Sequence, residues 1–285
     1  MFVIIGIITV LSMVVGGYLL EHGNIHLLFQ PVELMIIGGA AVGAFMISST
    51  PRVFGIVLKA LPTVLSPKTP TKAMFLDLLS LLYQLFSKIR KEGLISIETD
   101  IENPEKSPIF KKYPSVVANH HQLSFICDNL KVIITANMPP HELENLMDIE
   151  IDTHHHESLI ASHAVAKVAD GLPALGIVAA VLGVVLTMAK ISEPPAVLGH
   201  SIGAALVGTF LGVLLSYGFV GPLATNLENQ AEEGAAPFHV IKMAFVSFVG
   251  GSAPQMAVEF GRRAIPDKEK PTFNELETAV RGKAK

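Results

Sequence analysis

Residues 171–189 read GLPALGIVAAVLGVVLTMA, and residues 201–222 read SIGAALVGTFLGVLLSYGFVGP. Neither stretch contains a charged side chain. The hydrocarbon core of a bilayer is about 30 Å thick and takes roughly 20 helical residues to cross. The short connection around Glu193-Pro194-Pro195 therefore predicts that the two stretches form a helical hairpin through the membrane.

Two earlier stretches meet the same criterion, at residues 1–20 and at about 32–49. The first lacks the basic beginning and the small-residue cleavage site of a signal peptide, so we expect it to be retained. In the second, Glu33 is expected at the outer edge, where its carboxylate reaches water or lipid headgroups. The chain is therefore predicted to be an all-α integral membrane protein with four transmembrane helices.

The composition supports a lipid environment and argues against a nucleic-acid partner. Of the 285 residues, 50% are hydrophobic and 16% are charged, and the mean hydropathy is +0.50. The net charge is only -4, and no block of Lys and Arg is interleaved with aromatic residues. The single cysteine, Cys127, cannot form an intrachain disulfide and is interpreted as a small packing residue rather than a reactive thiol.

The distribution of Lys and Arg predicts the orientation of the spans, because these residues are retained on the cytoplasmic side near span ends. Of the 21, 12 lie between residues 51 and 170 and 8 lie after residue 222, and Lys190 alone lies near the opposite side. Both termini are therefore expected in the cytoplasm. The expected organisation is transmembrane helices 1 and 2 in residues 1–50, a helical cytoplasmic domain in 51–170, transmembrane helices 3 and 4 in 171–222, and a cytoplasmic C-terminal region in 223–285.

Four further segments are predicted to be helices outside the bilayer core. Residues 74–89 repeat apolar side chains at helical spacing between polar ones, which indicates an amphipathic helix. Residues 238–249 carry a lysine and stop at two glycines, so they are too short to cross. Helices are also predicted over residues 116–135 and 141–157, and the second of these is expected to lead into the third span.

No sequence pattern for enzymatic chemistry is present. The chain lacks a GxxxxGK[ST] phosphate loop, HExxH, CxxC and GxSxG, so we expect neither an enzyme nor a bound cofactor. His154, His155 and His156 are not spaced on one helical face, so a solvated face is favoured over a metal site. An intramembrane enzyme or a stand-alone transporter would need ionisable groups near the midplane, and the spans have none there. If protons cross, another chain carries the relay.

Small residues recur four positions apart in three spans, at Gly39 and Gly43, Gly176 and Ala180, and Gly208 and Gly212. Such faces allow helices to approach closely. Packing within the four-helix unit is favoured over oligomerisation as their role.

Two prolines occupy corresponding positions in the predicted hairpin. Pro173 begins the third span and Pro222 ends the fourth, so both are expected at one membrane depth. Proline removes a backbone donor and disturbs a helix. From the residues alone, simple punctuation at a span boundary is favoured over a pair of hinges that transmit movement.

Several segments resemble one family of membrane proteins. Residues 205–222 are similar to a signature shared by the A subunits of flagellar motor stators, the MotA family, and by the ExbB and TolQ energisers. Segments similar to the MotA family lie throughout the chain: GGYL at 16–19, QPVEL at 30–34, LKALP at 58–62, DIENP at 100–104, LPALGIVAA at 172–180 and EFGR at 259–262. Because ExbB and TolQ have three spans, the four-span order favours the MotA family, with an ExbB- or TolQ-like energiser as the alternative.

This resemblance implies a pentamer of A subunits around two single-span, MotB-like B subunits in the bacterial inner membrane. The aspartate of the B subunit binds the ion, and its periplasmic part grips peptidoglycan. The resemblance also implies that Pro173 and Pro222 couple ion passage to movement, which reverses the preference stated above.

The resemblance implies roles for four more residues. Thr209 matches the threonine that faces the partner's aspartate in the ion pathway. Ala180 falls where sodium-driven relatives have a threonine oxygen, so protons are the expected coupling ion. Arg90 and Glu98 match the charged pair that engages the rotor protein FliG, whereas the residues alone indicate solvated surface charges.

Overall fold

The structure, a computed structural model, describes residues 2–66, 69–136 and 138–282, and within these it is helical with no strand. The α-helices are α1 (Phe2–Leu20), α2 (Ile25–Leu28), α3 (Pro31–Ser48), α4 (Pro51–Ala60), α5 (Lys72–Glu92), α6 (Glu98–Glu102), α7 (Pro114–Val117), α8 (His120–Ala136), α9 (Pro140–Met188), α10 (Pro195–Val213), α11 (Gly221–Val249), α12 (Pro254–Arg263) and α13 (Phe273–Gly282). Short 3-10 segments cover Leu61–Val64, Leu94–Ile97 and Phe110–Lys112, and a π-helical segment covers Leu214–Val220. The chain forms two compact units, residues 1–68 with 158–230 and residues 69–157 with 231–285.

Among the described residues, four helical stretches are long and apolar enough to cross a bilayer, which confirms the predicted number of spans. They are α1, the stretch ending with α3, α9, and the continuous helix Pro195–Val249. Residue 1 lies outside the described residues. The fourth span begins at Pro195 rather than at residue 201, because the fixed φ of proline suits the first position of a helix.

The third span is part of a much longer helix. α9 has 49 residues and contains both the acidic segment at 141–157 and the third span. The predicted continuation from one into the other is therefore confirmed. Pro173 lies inside this helix.

The fourth span also continues past the length of a bilayer crossing. α10, the π-helical segment and α11 follow one another from Pro195 to Val249. The segment predicted at 238–249 is the last part of α11, and it ends at the two glycines as predicted. Gly251 has a φ of 92°, which glycine adopts without strain.

The second unit is built around α5, whose amphipathic pattern is confirmed. The apolar side chains that recur at helical spacing are all buried, namely Phe75, Leu78, Leu79, Leu82, Phe86 and Ile89. Phe86 stacks on Phe248 with ring centroids 4.3 Å apart, and it meets Phe245 edge-on. Burial of each such side chain stabilises the fold by about 1.5–3 kcal/mol. α12 and α13 pack against α5 in the same unit.

The helix predicted over residues 116–135 is divided in two. α7 ends at Val117, and the side-chain oxygen of Asn119 accepts a hydrogen bond from the backbone N–H of Gln122 in the first turn of α8. Asparagine is favoured at this position because its side chain satisfies a free helix N–H. Cys127 lies in α8 and is 4% exposed, which confirms its packing role. Burial raises the pKa of its thiol to about 11, so the thiol is unreactive at neutral pH.

Candidate functional site

The third and fourth spans approach each other closely along their glycines. A β-carbon added at Gly212 would lie 2.7 Å from the Cα of Gly176 and 2.7 Å from the carbonyl oxygen of Leu172. A β-carbon at Gly176 would lie 2.8 Å from the carbonyl oxygen of Gly208. These distances are shorter than van der Waals contact, so the two backbones can be this close only where glycine is present.

The small residues of the hairpin therefore pack within one chain, as predicted. Gly39 and Gly43 of the second span behave differently, because a β-carbon there would meet no described atom within 4 Å. The small-residue face of α3 is thus open in the single chain.

A buried hydrogen bond joins the two spans further along the hairpin. Ser216 lies in the π-helical segment, and its hydroxyl donates to the carbonyl oxygen of Ala169 over 2.7 Å. The backbone N–H of Gly221 bonds to the carbonyl oxygen of Ser216, five residues earlier. This wide turn ends immediately before Pro222, which has no N–H to donate. Irregular π turns inside α-helices occur frequently at functional sites.

Pro173 and Pro222 do not lie at one depth of the hairpin, contrary to the prediction. The contact between Gly212 and Leu172 places Pro173 level with residues 211–212 of the fourth span. Pro222 follows about ten residues later, and at 1.5 Å per residue the offset is roughly 15 Å. The prediction assumed that both spans end at the prolines, whereas the register of the hairpin places Leu172, the neighbour of Pro173, opposite Gly212.

The two residues predicted for the ion pathway lie at one level of the hairpin. Ala180 is 7% exposed, and its backbone nitrogen would lie 3.1 Å from a β-carbon on Gly208, the neighbour of Thr209. Thr209 is half-buried in the single chain. At this level Thr209 offers a hydroxyl, whereas Ala180 offers no side-chain oxygen to a cation.

A carboxylate joins the same level of the hairpin. Glu33 is 9% exposed, and its Oε2 atom would lie 2.8 Å from a β-carbon on Gly208. The prediction that Glu33 reaches water or headgroups at the outer edge is therefore wrong. The first turn of α3 packs against α10, and Leu27 of α2 covers Gly203, which is nearer to the start of α10.

A groove lies beside Pro222 in the same unit. Its lining residues come from α9, the π-helical segment and α11, and they include the titratable side chains His163, Asp170 and Glu228. All three side chains are exposed. They were not among the residues predicted to be functional, although the spacing of seven between His163 and Asp170 already places both on one face of the helix that continues into the third span.

In the second unit, Arg90 and Glu98 flank a tight turn. Arg90 lies in the last turn of α5, which is capped by Gly93 with a φ of 88°, and Glu98 begins α6 after a 3-10 segment. Both side chains are exposed, and neither forms an ion pair with another described residue. Ile95, between them, is 75% exposed. This surface combines opposite charges with an apolar side chain.

A partly buried ion pair holds the segment that carries Glu98. Lys88 Nζ lies 2.8 Å from Asp100 Oδ2, and the hydroxyl of Ser107 donates to Asp100 Oδ1 over 2.5 Å. Asp100 is 5% exposed, so it depends on both partners. Asp100 begins the DIENP segment, and no role for this residue is evident from the sequence alone.

The three consecutive histidines differ in their surroundings. His156 is exposed, as predicted, whereas His154 is half-buried and its ring lies 4.6 Å from that of Phe238. His155 is also half-buried, so the expectation of a solvated face is wrong for both His154 and His155. Among the described residues, no group of three or more His, Cys, Asp or Glu side chains is placed to hold a metal ion.

These features define a class of protein. Four apolar helices can cross a bilayer, the third and fourth pack through glycines, and one level of that hairpin combines a hydroxyl with a buried carboxylate. These features are typical of helical membrane proteins that conduct ions, in which polar groups inside the spans mark the ion path.

Comparison with known proteins gives the family. The family model "Motility protein A N-terminal" matches residues 4–93, and the "MotA/TolQ/ExbB proton channel family" matches residues 117–238. The chain is 45% identical to Motility protein A of Salmonella typhimurium and 46% identical to that of Escherichia coli, in each case over 99% of this chain and 95% of the relative. The chain belongs to the motility protein A family.

Solved structures show the same fold. "Structure of C. jejuni MotAB" matches with a TM-score of 0.77 at 17% identity, over 95% of this chain and 98% of the other. "Structure of the flagellar MotAB stator complex from Bacillus subtilis" matches with a TM-score of 0.73 at 21% identity, over 93% and 96%. The all-helical, four-span architecture is thus that of the MotA fold.

Proposed function

We propose that this flagellar stator subunit conducts protons together with a single-span B subunit and converts the ion flow into torque on the rotor. One observation carries the proposal: the identity of 45% to Motility protein A extends over 99% of the chain and includes the glycine-packed hairpin.

The ion pathway is proposed to lie where the hairpin faces the B subunit. Five A subunits surround two B subunits, and the aspartate of each B subunit is placed opposite Thr209. A proton that binds this aspartate removes its charge, and the hydroxyl of Thr209 is a suitable hydrogen-bond partner in a dry pore. A membrane potential supplies about 2.3 kcal/mol per charge per 100 mV, which is enough to shift the balance between two packing arrangements.

Protons are the proposed coupling ion because of Ala180. A sodium ion needs oxygen ligands, and alanine at this level supplies none from its side chain. Motor speed in cells that carry this chain should therefore be independent of external sodium and should fall when a proton uncoupler is added. Speed that follows sodium instead would contradict the assignment.

Movement is proposed to travel along the two long helices. Pro173 interrupts the backbone hydrogen bonding of α9, and the π-helical segment before Pro222 does the same in the fourth span. The stagger of roughly 15 Å between the prolines suggests two separate flexible points, one in each helix, rather than one paired hinge. Each point lies within a long helical stretch, because α9 extends on both sides of Pro173 and α11 continues from Gly221 to Val249.

The rotor contact is proposed to form at Arg90 and Glu98. We place the chain in the inner membrane with both termini in the cytoplasm, so that this exposed pair lies on the side of the rotor and meets FliG. Single exposed ion pairs contribute about 0–1 kcal/mol and are screened by salt. Contacts of this strength can form and separate in every step of rotation.

The rotor contact is tested by reversing its charges. Arg90→Glu and Glu98→Lys should each reduce swimming while the protein still accumulates in the membrane with its B subunit. Lys91→Glu is the matched control, because Lys91 is also exposed and adjacent to Arg90. Equal swimming losses for the control and the two variants would refute a specific contact and leave only an effect of net charge.

The stator role itself is tested by deletion of the gene. Cells without the chain should carry intact flagellar filaments and should not swim, and expression of the wild-type chain should restore swimming. Normal swimming after deletion would overturn the proposal. A defect confined to outer-membrane transport would instead support an energiser of the ExbB or TolQ type.

A further inference from the structure

None of the roles proposed above involves the buried carboxylate of Glu33. It is the third residue of α3 and is 9% exposed. Its Oε2 atom is fully buried and has no hydrogen-bond partner among the described residues. Both carboxylate oxygens point at the hairpin, Oε2 towards Gly208 and Oε1 towards Gly183, at 2.8 and 3.5 Å from the positions where β-carbons would be.

The surroundings of this carboxylate contain no opposite charge. α3 has no other titratable residue, and residues 171–188 of α9 have none. His200 of α10 and Lys190, which follows α9, are both exposed and therefore do not face the buried group. The small side chains of the hairpin at this level leave room for the carboxylate but donate no hydrogen bond to it.

Two effects act in opposite directions on the charge of this carboxylate. Burial without a donor strongly disfavours the charge. The position in the first turn of α3 favours the charge, because the N-terminus of a helix carries a partial positive charge. Binding of a proton from water would neutralise the carboxylate, and release of the proton would restore its charge.

We propose that the Glu33 carboxyl group is a second proton-binding site of the stator, placed beside the level of Thr209 and Ala180. The proton adds to a carboxylate oxygen to give a neutral carboxylic acid, and it leaves again to water or to the acid of the B subunit. The site lies towards the end of the hairpin that joins α9 to α10, which is the outer side in the proposed orientation. The inference rests on the proposed proton conduction but requires a titrating group in this chain as well.

Replacement by the neutral isostere tests the site. Glu33→Gln keeps the size of the side chain and removes its titration, whereas Glu33→Asp keeps the titration. Glu21→Gln is the matched control, because Glu21 is an exposed glutamate just after α1. Swimming speed is measured against external pH, and the B subunit that copurifies with each variant is quantified.

We expect Glu33→Gln to retain its B subunit, to swim several-fold more slowly and to lose most of the dependence of speed on external pH. Glu33→Asp should keep that dependence, and Glu21→Gln should behave as the wild type. A Glu33→Gln variant with wild-type speed and pH profile would overturn this proposal, while the deletion test of the stator role would be unaffected.

A measurement on the wild-type complex covers the case in which Glu33→Gln does not assemble. Dicyclohexylcarbodiimide reacts with protonated carboxyl groups in apolar surroundings, and mass spectrometry locates the adduct. We expect an adduct at Glu33 that decreases as the pH is raised, and none at Glu21. No adduct at Glu33 at any pH would overturn the proposal.

Discussion

Gly212→Ala tests the close packing on which the account of the hairpin depends. The added methyl group would lie 2.7 Å from the Cα of Gly176 and from the carbonyl oxygen of Leu172, whereas ordinary contact begins at 3.4 Å. Both neighbours are backbone atoms, so no side chain can rotate away and the helices themselves must separate by several tenths of an ångström. Overpacking of this kind costs about 1–3 kcal/mol.

This cost should be visible as a loss of thermal stability. For a chain of this size 1 kcal/mol corresponds to roughly 2–4 °C, so the purified complex of Gly212→Ala should unfold several degrees below the wild type, as measured by circular dichroism. Gly234→Ala is the control, because a methyl group there meets no described atom within 4 Å. If Gly212→Ala unfolds at the wild-type temperature, the helices are not packed as closely as described.

Three further predictions concern the prolines, the π-helical segment and the second unit. Pro173→Ala should reduce torque while assembly stays normal. Pro237→Ala is the control and should leave torque unchanged, because Pro237 also lies inside a long helix. Unchanged torque in Pro173→Ala would contradict the hinge role. Ser216→Ala should lower the free energy of unfolding by about 0.5–1.5 kcal/mol through loss of its hydrogen bond, measured by denaturant titration, and an unchanged value would show that the bond contributes nothing. Hydrogen bonds from Arg262 and its neighbour hold the pKa of Glu259 below its ordinary value of 4.5, so this carboxylate stabilises the fold above that pH. The difference in melting temperature between wild type and Glu259→Gln should therefore be largest near neutral pH and shrink on acidification below 4.5; a difference independent of pH would contradict this.

Much of the fold could be predicted because it depends on local properties of the sequence. The four spans follow from the length of the apolar stretches, and α5 follows from the spacing of Phe75, Leu78 and their equivalents. The end of α11 follows from two consecutive glycines. The fourth span begins earlier than predicted, because the prediction followed hydropathy, which weakens towards the outer end of the span. The prolines at 194 and 195 are the stronger indication of where the helix begins.

The rest depends on how separate segments pack against one another. Glu33 lies close to the start of its span in the sequence, and only the packing of α3 on α10 shows that its side chain turns into the hairpin. The depth of Pro173 relative to Pro222 depends likewise on the register between two helices. Glycines at 176, 208 and 212 indicated close approach but not which residues would be opposite one another.

The most direct test of the central claim is the rotation of single motors. In a strain that lacks the chain, a bead attached to a filament should be stationary, and induction of the wild-type chain together with its B subunit should start rotation that stops when a proton uncoupler is added. Motors that rotate at normal speed without the chain, or that remain still after both subunits have assembled in an energised membrane, would contradict the conclusion that this protein converts proton flow into torque.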